Sequence, residues 1–230
     1  MQNIFYQYHF IFPDGQQKDF LVELNGNSLQ SELFAENSYP DWAQLESNQC
    51  FNCPLTGENY IYCPVAVSLV PIIDWCKDLI SYDEVTVKVI SEEREVQHHT
   101  SLQRALSSLL GLLMSSSACP KMKFLRPLAR FHLPFSTHEE TLFRVVSSSL
   151  LKNYIDDTAQ THTEILQNLK KNYQDIQDIN RFMAYRIRGA IKKDAAVNAI
   201  VLLDVLSKSV TFSIDDSLRQ LRYLYDVKDQ

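Results

Sequence analysis

Two apolar runs joined by a turn signal constrain the start of this chain more than any other feature. Residues 3–12 are rich in aromatic and β-branched types, and residues 20–24 form a second apolar run after Asp14 and Gly15. A glycine that follows an aspartate supplies the positive φ that a tight turn between antiparallel strands requires. The pattern therefore predicts an N-terminal β-hairpin.

A third strand is predicted at residues 84–90, where apolar and polar side chains alternate. Alternation with a period of two is typical of a strand with one buried face, so we expect Val85, Val87 and Val89 to face the core. This strand is expected to join the hairpin in one small antiparallel sheet.

Helix-start signals dominate much of the remaining sequence. Pro64 suits the first position of a helix, because its missing N–H costs nothing there. Capping boxes, in which a Thr hydroxyl and a Glu or Gln side chain satisfy free backbone N–H groups, are predicted at residues 100–103 and 137–140. Three further helices are predicted between about residues 162 and 225, the last one beginning at residues 213–216.

These elements together indicate an α+β fold. We expect a small antiparallel sheet, made of the N-terminal hairpin plus strand 84–90, packed on helices and followed by an all-helical C-terminal half. Residues 1–156 are expected to form an α+β domain with cysteine-bearing loops. Residues 157–230 are expected to be a helical extension that packs on this domain.

Composition limits the classes of partner. The 230 residues are 45% hydrophobic and carry a formal net charge of −6, which argues against general nucleic-acid binding. No apolar run approaches the roughly 20 residues that span a bilayer, and the first residues lack the basic and then apolar plan of a secretory signal. A cytoplasmic protein without membrane insertion is therefore expected.

The chain has five cysteines, an odd number that favours thiols or metal ligands over a disulfide framework in a reducing compartment. Cys50, Cys53, Cys63 and Cys119 supply enough thiols for one tetrahedral zinc ion. The alternative is that they are buried thiols, which behave as small hydrophobic side chains. A redox role would require an exposed and acidic Cys50. Cys76 lies on an apolar helix face and is expected in the core.

A proline-rich stretch, residues 118–141, carries the other candidate site. Pro120, Pro127 and Pro134 argue against a long regular helix, so an ordered and irregular crossing is expected. The candidate ligand-binding residues of this stretch are Arg126, Arg130, His132 and His138. Converging guanidinium and imidazole groups suit a small anionic ligand.

Each of these basic residues also has a structural interpretation. The arginines can hydrogen-bond backbone carbonyls that the prolines leave without donors, and His132 can hydrogen-bond inside the core. His98 and His99 are expected to be exposed turn residues. A basic group near the C-terminal end, which includes Arg186, is expected on the polar side of a surface helix.

Complete catalytic signatures are absent from the sequence: it has no nucleophile elbow, no Gly-rich phosphate loop and no His-Glu-x-x-His motif. Cys119 with His132 or His138 could form a thiol–imidazole pair, but no third orienting group is identifiable. The sequence therefore leaves open whether the protein is an enzyme.

Five short segments resemble a bacterial cytosolic family of unknown function. The segments are residues 50–55, 63–66, 93–94, 108–112 and 119–135. The first carries Cys-x2-Cys-Pro, the second carries Cys-Pro-x-Ala, and the last carries a Cys-Pro…Arg-Pro-x-Ala-Arg-Phe-His-Leu-Pro-Phe core. The resemblance covers most of residues 1–155 and departs at Ala118, where the family pattern has glycine. It implies that Cys50, Cys53, Cys63 and Cys119 belong together, which strengthens the zinc hypothesis, and it implies no activity.

The sequence thus supports two hypotheses about function. The leading one is a non-enzymatic regulatory or interaction module with loops held by a structural zinc and with an unidentified protein partner. The alternative is an enzyme or sensor that binds a small anionic ligand through the basic residues of the proline-rich stretch.

Overall fold

One antiparallel sheet contains all four strands that the structure describes. The structure, a computed structural model, describes residues 1–31, 38–157, 159–212, 218–219 and 221–225. The strands are β1 (Ile4–Ile11), β2 (Gln17–Leu24), β3 (Glu84–Ile90) and β4 (Glu95–Ser101), in the spatial order β2-β1-β3-β4. The predicted hairpin is confirmed, and Gly15 takes the expected positive φ of 86° in its turn.

The predicted third strand is also confirmed, and it pairs with the hairpin through β1. Tyr8 lies opposite Val89, and Phe10 lies opposite Val87. All four side chains are buried. The alternation of β3 therefore marks its core face correctly.

Strand β4 was not predicted, and it corrects two expectations. His98 and His99 lie within this strand rather than in a turn, because their backbone pairs with β3. The expected capping box at residues 100–103 is wrong, since Ser101 precedes the next helix and makes no side-chain cap. Backbone carbonyls of Asp83 and Ser81 accept from the N–H groups of residues 102 and 103 instead.

Six α-helices follow or separate the strands in the described part of the chain. They are α1 (Pro64–Cys76), α2 (Leu102–Ser115), α3 (Arg126–Arg130), α4 (His138–Ile155), α5 (His162–Arg188) and α6 (Ala195–Phe212). The predicted capping box at the start of α4 is confirmed: Thr137 N–H donates to Glu140 Oε2 at 2.7 Å, and Glu140 N–H donates to Thr137 Oγ1 at 3.2 Å. The helix expected to begin at residues 213–216 lies outside the described residues.

The core joins the sheet to the C-terminal helices. Helix α6 packs on both α5 and α2, and α2 also contacts β3 and β4. Buried side chains from β1, α2, α5 and α6 belong to one hydrophobic cluster. The all-helical C-terminal half is confirmed by α4, α5 and α6. The division at residues 156 and 157 stays a prediction.

No helix in the described ranges is both long enough and apolar enough to cross a membrane.

Candidate functional site

Four cysteines from three separate segments lie near one another, and we call them the cysteine cluster. Cys50 and Cys53 share a tight turn in which Cys53 N–H donates to the Cys50 carbonyl at 3.1 Å. Cys63 precedes helix α1, and Cys119 precedes a short 3-10 helix, Pro120–Leu125. The pKa of Cys50 is influenced by Cys63, Cys53 and Cys119, which places the four thiols within electrostatic reach of one another.

Burial controls the acidity of these thiols. Burial, together with the smaller effect of neighbouring thiols, raises the pKa of Cys50 to about 12 and that of Cys119 to about 11. The exposed and acidic Cys50 that redox chemistry requires is therefore not found. Cys76 is 1% exposed and lies in the core, as expected.

The cysteine cluster is not arranged as a finished ligand set. No three or more His, Cys, Asp or Glu side chains are grouped to hold a metal ion in the ranges that the structure describes. Metal binding would require the side chains to rotate and to lose their protons.

Arg186 connects helix α5 to the loop that leads to the cysteine cluster. Its Nη1 donates to the carbonyls of Trp42, at 2.9 Å, and Gln44, and its Nη2 donates to the Leu45 carbonyl at 2.7 Å. The side chain is only 2% exposed, and Nε is buried without a hydrogen-bond partner. Burial lowers the pKa of Arg186, while the nearby thiols of the cluster act in the opposite direction.

The position of Arg186 contradicts the expectation of a solvated basic face. Arg186 lies on the buried side of α5 together with Met183 and Ile187. A signal for this was present in the sequence, because Arg186 is three residues after Met183 and next to Ile187, at apolar helical spacing. The carbonyls that it contacts are more than 140 residues away, however, and no local pattern could identify them.

Arg126 is a second arginine beside the cluster, and its side chain is partly buried. Its Nη2 donates to the Ser117 carbonyl at 3.5 Å, and its Nε is buried without a partner. Burial lowers the pKa of Arg126, and the nearby Cys119 thiol opposes this shift. Two unpartnered guanidinium nitrogens therefore lie beside the thiols.

The remaining residues of the proline-rich stretch occupy different surroundings. Before α4 begins at residue 138, the stretch contains no long helix, as predicted, but residues 120–130 fold into the 3-10 helix and α3 rather than an irregular crossing. Arg130 pairs with Glu93 at 3.3 Å, and His138 Nδ1 lies 2.9 Å from Ser209 Oγ. Of the four predicted ligand-binding residues, only His132 lines the cavity described next.

A cavity of about 210 Å³ lies among α2, α4, α5, α6 and the loop after α3, and we call it the central cavity. Its polar lining includes Arg104, Ser108, His132, Arg144, Asn180 and Ser207. Leu112, Met122 and Leu203 are among its many apolar lining residues. An apolar cavity with few polar groups is the usual form of a small-molecule site.

His132 belongs to a hydrogen-bonded network at the wall of this cavity. Its Nε2 lies 2.5 Å from the Tyr8 hydroxyl, which lies 2.9 Å from Ser108 Oγ. The backbone N–H of His132 donates to the Tyr6 hydroxyl, and that hydroxyl donates to the Arg130 carbonyl at 2.7 Å. The sheet therefore positions His132 through two tyrosines that the sequence marked only as strand residues.

The surroundings of His132 keep its imidazole neutral. Burial, together with the positive charge of Arg144, lowers the pKa of His132 to about 3 from an ordinary value of 6.5. Between these two pH values the unfolded chain binds a proton that the folded protein excludes. We therefore expect the free energy of unfolding to fall as the pH decreases from 6.5 toward 3, with a slope of up to about 1.4 kcal/mol per pH unit from this group.

Denaturant unfolding between pH 7 and pH 4 measures this dependence. His132→Gln is expected to remove the slope that His132 contributes, whereas His99→Gln, at an exposed strand position, should leave the slope unchanged. Parallel pH profiles for the wild type and His132→Gln would contradict the assignment.

Sequence analysis gave no indication of the role of Asn180. This residue is on α5 and is 1% exposed, yet its Nδ2 has no hydrogen-bond partner. It lines the central cavity together with Arg144, whose Nη2 donates to the carbonyls of Leu128 and Phe131. An asparagine between apolar helix positions carries no functional signature by itself, so only packing reveals its surroundings.

The topology defines the class of this protein. One antiparallel sheet, covered by helices that are mostly segregated after it in the chain, makes it an α+β protein. The chain belongs to the DUF6901 family, described as a domain of unknown function, whose model matches residues 5–226. Comparisons with curated proteins and with solved structures find no match.

The expected membership of a family without a known function is confirmed by this match. A bacterial origin, and the cysteine and proline motifs as family features, stay predictions.

Proposed function

We propose that the protein is a non-enzymatic regulatory or interaction module whose loops are held by a structural zinc ion at Cys50, Cys53, Cys63 and Cys119. The observation that carries this proposal is the proximity of these thiols, from three chain segments, to one another and to two guanidinium groups whose Nε atoms are buried without a partner among the described residues. Zinc held by four cysteines is a common structural centre that stabilises irregular loops.

Charge balance supports zinc at this position. A zinc ion with four thiolates carries a net charge of about −2, which is costly to bury unless positive groups lie nearby. Arg186 and Arg126 are such groups, and nearby cysteines of the cluster act to raise the pKa of both guanidinium groups. Thiolate sulfur atoms would also give acceptors to the two unpartnered Nε–H groups, as the partners of metal ligands commonly do.

The cysteine-bearing loop also presents apolar side chains to solvent. Phe51 is 76% exposed, Ile61 is 72% exposed and Tyr60 is 44% exposed. Exposed apolar groups near one another are typical of surfaces that bind a partner protein. A zinc ion at the cluster would hold these side chains in a fixed arrangement, which lowers the entropy lost on binding a partner.

Metal analysis tests the proposal. Protein purified without an affinity tag is expected to contain about one zinc per chain by elemental mass spectrometry, in accord with a single four-thiol site. Chelation should release four of the five thiols to titration and increase hydrogen exchange in residues 44–63. Cys53→Ser should lose the zinc, because it removes one ligand.

The matched control is Cys76→Ala, which removes a thiol from the core and leaves the cluster intact. This variant should retain the zinc of the wild type. A wild-type protein that contains no metal, and whose four cluster thiols titrate equally with and without chelator, would disprove the structural-zinc proposal.

The second candidate function is an enzyme or sensor that binds a small anionic ligand through Arg126, Arg130, His132 and His138. The observation in its favour is that His132 lines the central cavity. The carbonyl of Ser117, the carboxylate of Glu93 and the hydroxyl of Ser209 contact the other three residues, respectively. This hypothesis is thus supported at one residue of the four.

A further inference from the structure

The central cavity is lined by a residue with a buried hydrogen-bond donor that no group of the described residues satisfies. Nδ2 of Asn180 has no partner there although the side chain is 1% exposed. Nearly all buried polar groups are hydrogen-bonded, and an unsatisfied one destabilises the fold. Because Asn180 lines the cavity, a bound molecule with an acceptor atom could remove this destabilisation.

The charge of the lining indicates which acceptor fits. Arg104 and Arg144 both line the cavity, while no Asp or Glu does so within the described ranges. Arg144 donates to protein carbonyls only through Nη2, so its Nε and Nη1 have no protein acceptor among the described residues. An arginine with unused donors in a partly buried position is suited to a carboxylate.

His132 does not compete with Arg144 for an anion. Its Nε2 is engaged by the Tyr8 hydroxyl, and its imidazole carries no charge near neutral pH. The positive charge that an anion would meet on the inner wall is therefore that of Arg144. Asn180 on α5 and Arg144 on α4 both contribute to this wall.

The apolar part of the lining limits the size of the ligand. Leu112 on α2, Met122 in the 3-10 helix and Leu203 on α6 come from separate elements. A volume of about 210 Å³ is smaller than most drug-sized sites but sufficient for a short aliphatic or aromatic group. Burial of such a group supplies the hydrophobic part of the affinity.

We propose that the central cavity binds a small carboxylate with an apolar body. The carboxylate accepts hydrogen bonds from Asn180 Nδ2 and Arg144, and the apolar body packs against Leu112, Met122 and Leu203. None of the lining residues is a cysteine, so this site is independent of the proposed zinc centre.

Calorimetric titration of the full-length protein with octanoate and octanol tests the proposal, because the two probes differ mainly in charge. Octanoate is expected to bind with a dissociation constant in the micromolar to millimolar range and at least about tenfold more tightly than octanol, since a hydrogen bond to a charged group is stronger than one to a neutral hydroxyl. Equal affinity for the two probes would overturn the carboxylate assignment. Absence of binding by both would overturn the site.

Substitutions at the cavity wall test whether octanoate binds in the central cavity. Asn180→Asp has nearly the same shape but replaces the donor with a negative charge, so it should weaken octanoate binding at least about tenfold. Asn168→Asp is the matched control, since residue 168 is exposed on the same helix, and it should bind octanoate as the wild type does. Octanoate binding unchanged by Asn180→Asp would disprove the role of Asn180.

A second variant keeps the test informative if Asn180→Asp does not fold. Leu203→Phe adds volume at the cavity wall and should reduce octanoate binding without introducing a charge. Circular dichroism establishes that each variant is folded before titration. Octanoate affinity that is unchanged in folded Leu203→Phe would exclude the central cavity as the binding site.

Discussion

Replacing Arg186 with methionine is expected to lower the free energy of unfolding by about 3 kcal/mol, because three backbone carbonyls lose their donor at once. Methionine approximates the length of the arginine stem but donates no hydrogen bond, so the carbonyls of Trp42, Gln44 and Leu45 are left to water. For a chain of this length the change corresponds to a decrease in Tm of roughly 6–12 °C. Thermal and denaturant unfolding followed by circular dichroism measure it.

Arg181→Met is the matched control for this prediction. Arg181 lies on the same helix, is 49% exposed and pairs with Asp178, an exposed-type ion pair worth less than about 1 kcal/mol. The two variants therefore differ in burial and in hydrogen bonding to the loop. Equal stabilities for Arg186→Met and Arg181→Met would contradict the proposed role of Arg186.

The Arg186 variant also bears on the proposed zinc centre. Loss of the guanidinium removes a positive charge beside the cysteine cluster and loosens the loop that leads to Cys50 and Cys53. We therefore expect Arg186→Met to release zinc at a lower chelator concentration than Arg181→Met does.

Phe10→Ala is expected to produce the other large loss of stability, about 3–5 kcal/mol. The Phe10 ring is completely buried, and its centroid lies 5.2 Å from that of Trp75 and 5.9 Å from that of Phe20 in edge-on contacts. Removing the ring leaves a cavity between the sheet and α1 that these rigid neighbours cannot close. Denaturant unfolding should show a lower midpoint with little change in slope.

The comparison for Phe10→Ala is Phe5→Ala, the same substitution in the same strand. Phe5 is 43% exposed and lies on the opposite face of β1. Its loss should cost less than about 1 kcal/mol, as is usual for exposed positions. If the two variants had equal midpoints, the assignment of the buried face of β1 would be wrong.

The sequence predicted well those elements whose signals are local. The hairpin depends on Gly15 and the apolar runs on either side of it. The start of α4 depends on Thr137 and Glu140, which are three residues apart. Such turns and caps form in most tertiary contexts because their own residues satisfy the hydrogen bonds of their backbone groups.

Elements with weak local signals were not predicted. Strand β4 has a polar sequence that includes His98 and His99, so alternation does not mark it. It forms because β3 offers an unpaired edge, whose backbone groups gain partners by pairing with it. The proline-rich stretch was likewise predicted to lack a long helix but not to form two short ones, since Pro120 and Pro127 each occupy a helix start that tolerates proline.

The candidate sites also have features that the sequence predicts and features that depend on tertiary packing. The amino-acid sequence by itself determined the N-terminal hairpin, strand β3, most helix-forming segments and the set of thiols available to a metal. Only the tertiary structure decided that Arg186 and Asn180 are buried, that the cysteines meet beside two guanidinium groups, and that His132 lines a cavity. The physical reason is range: turn, cap and periodicity signals act within one or two turns of chain, whereas these sites arise where segments distant in the sequence pack together, more than 100 residues apart for Tyr8 with His132 and for Trp42 with Arg186.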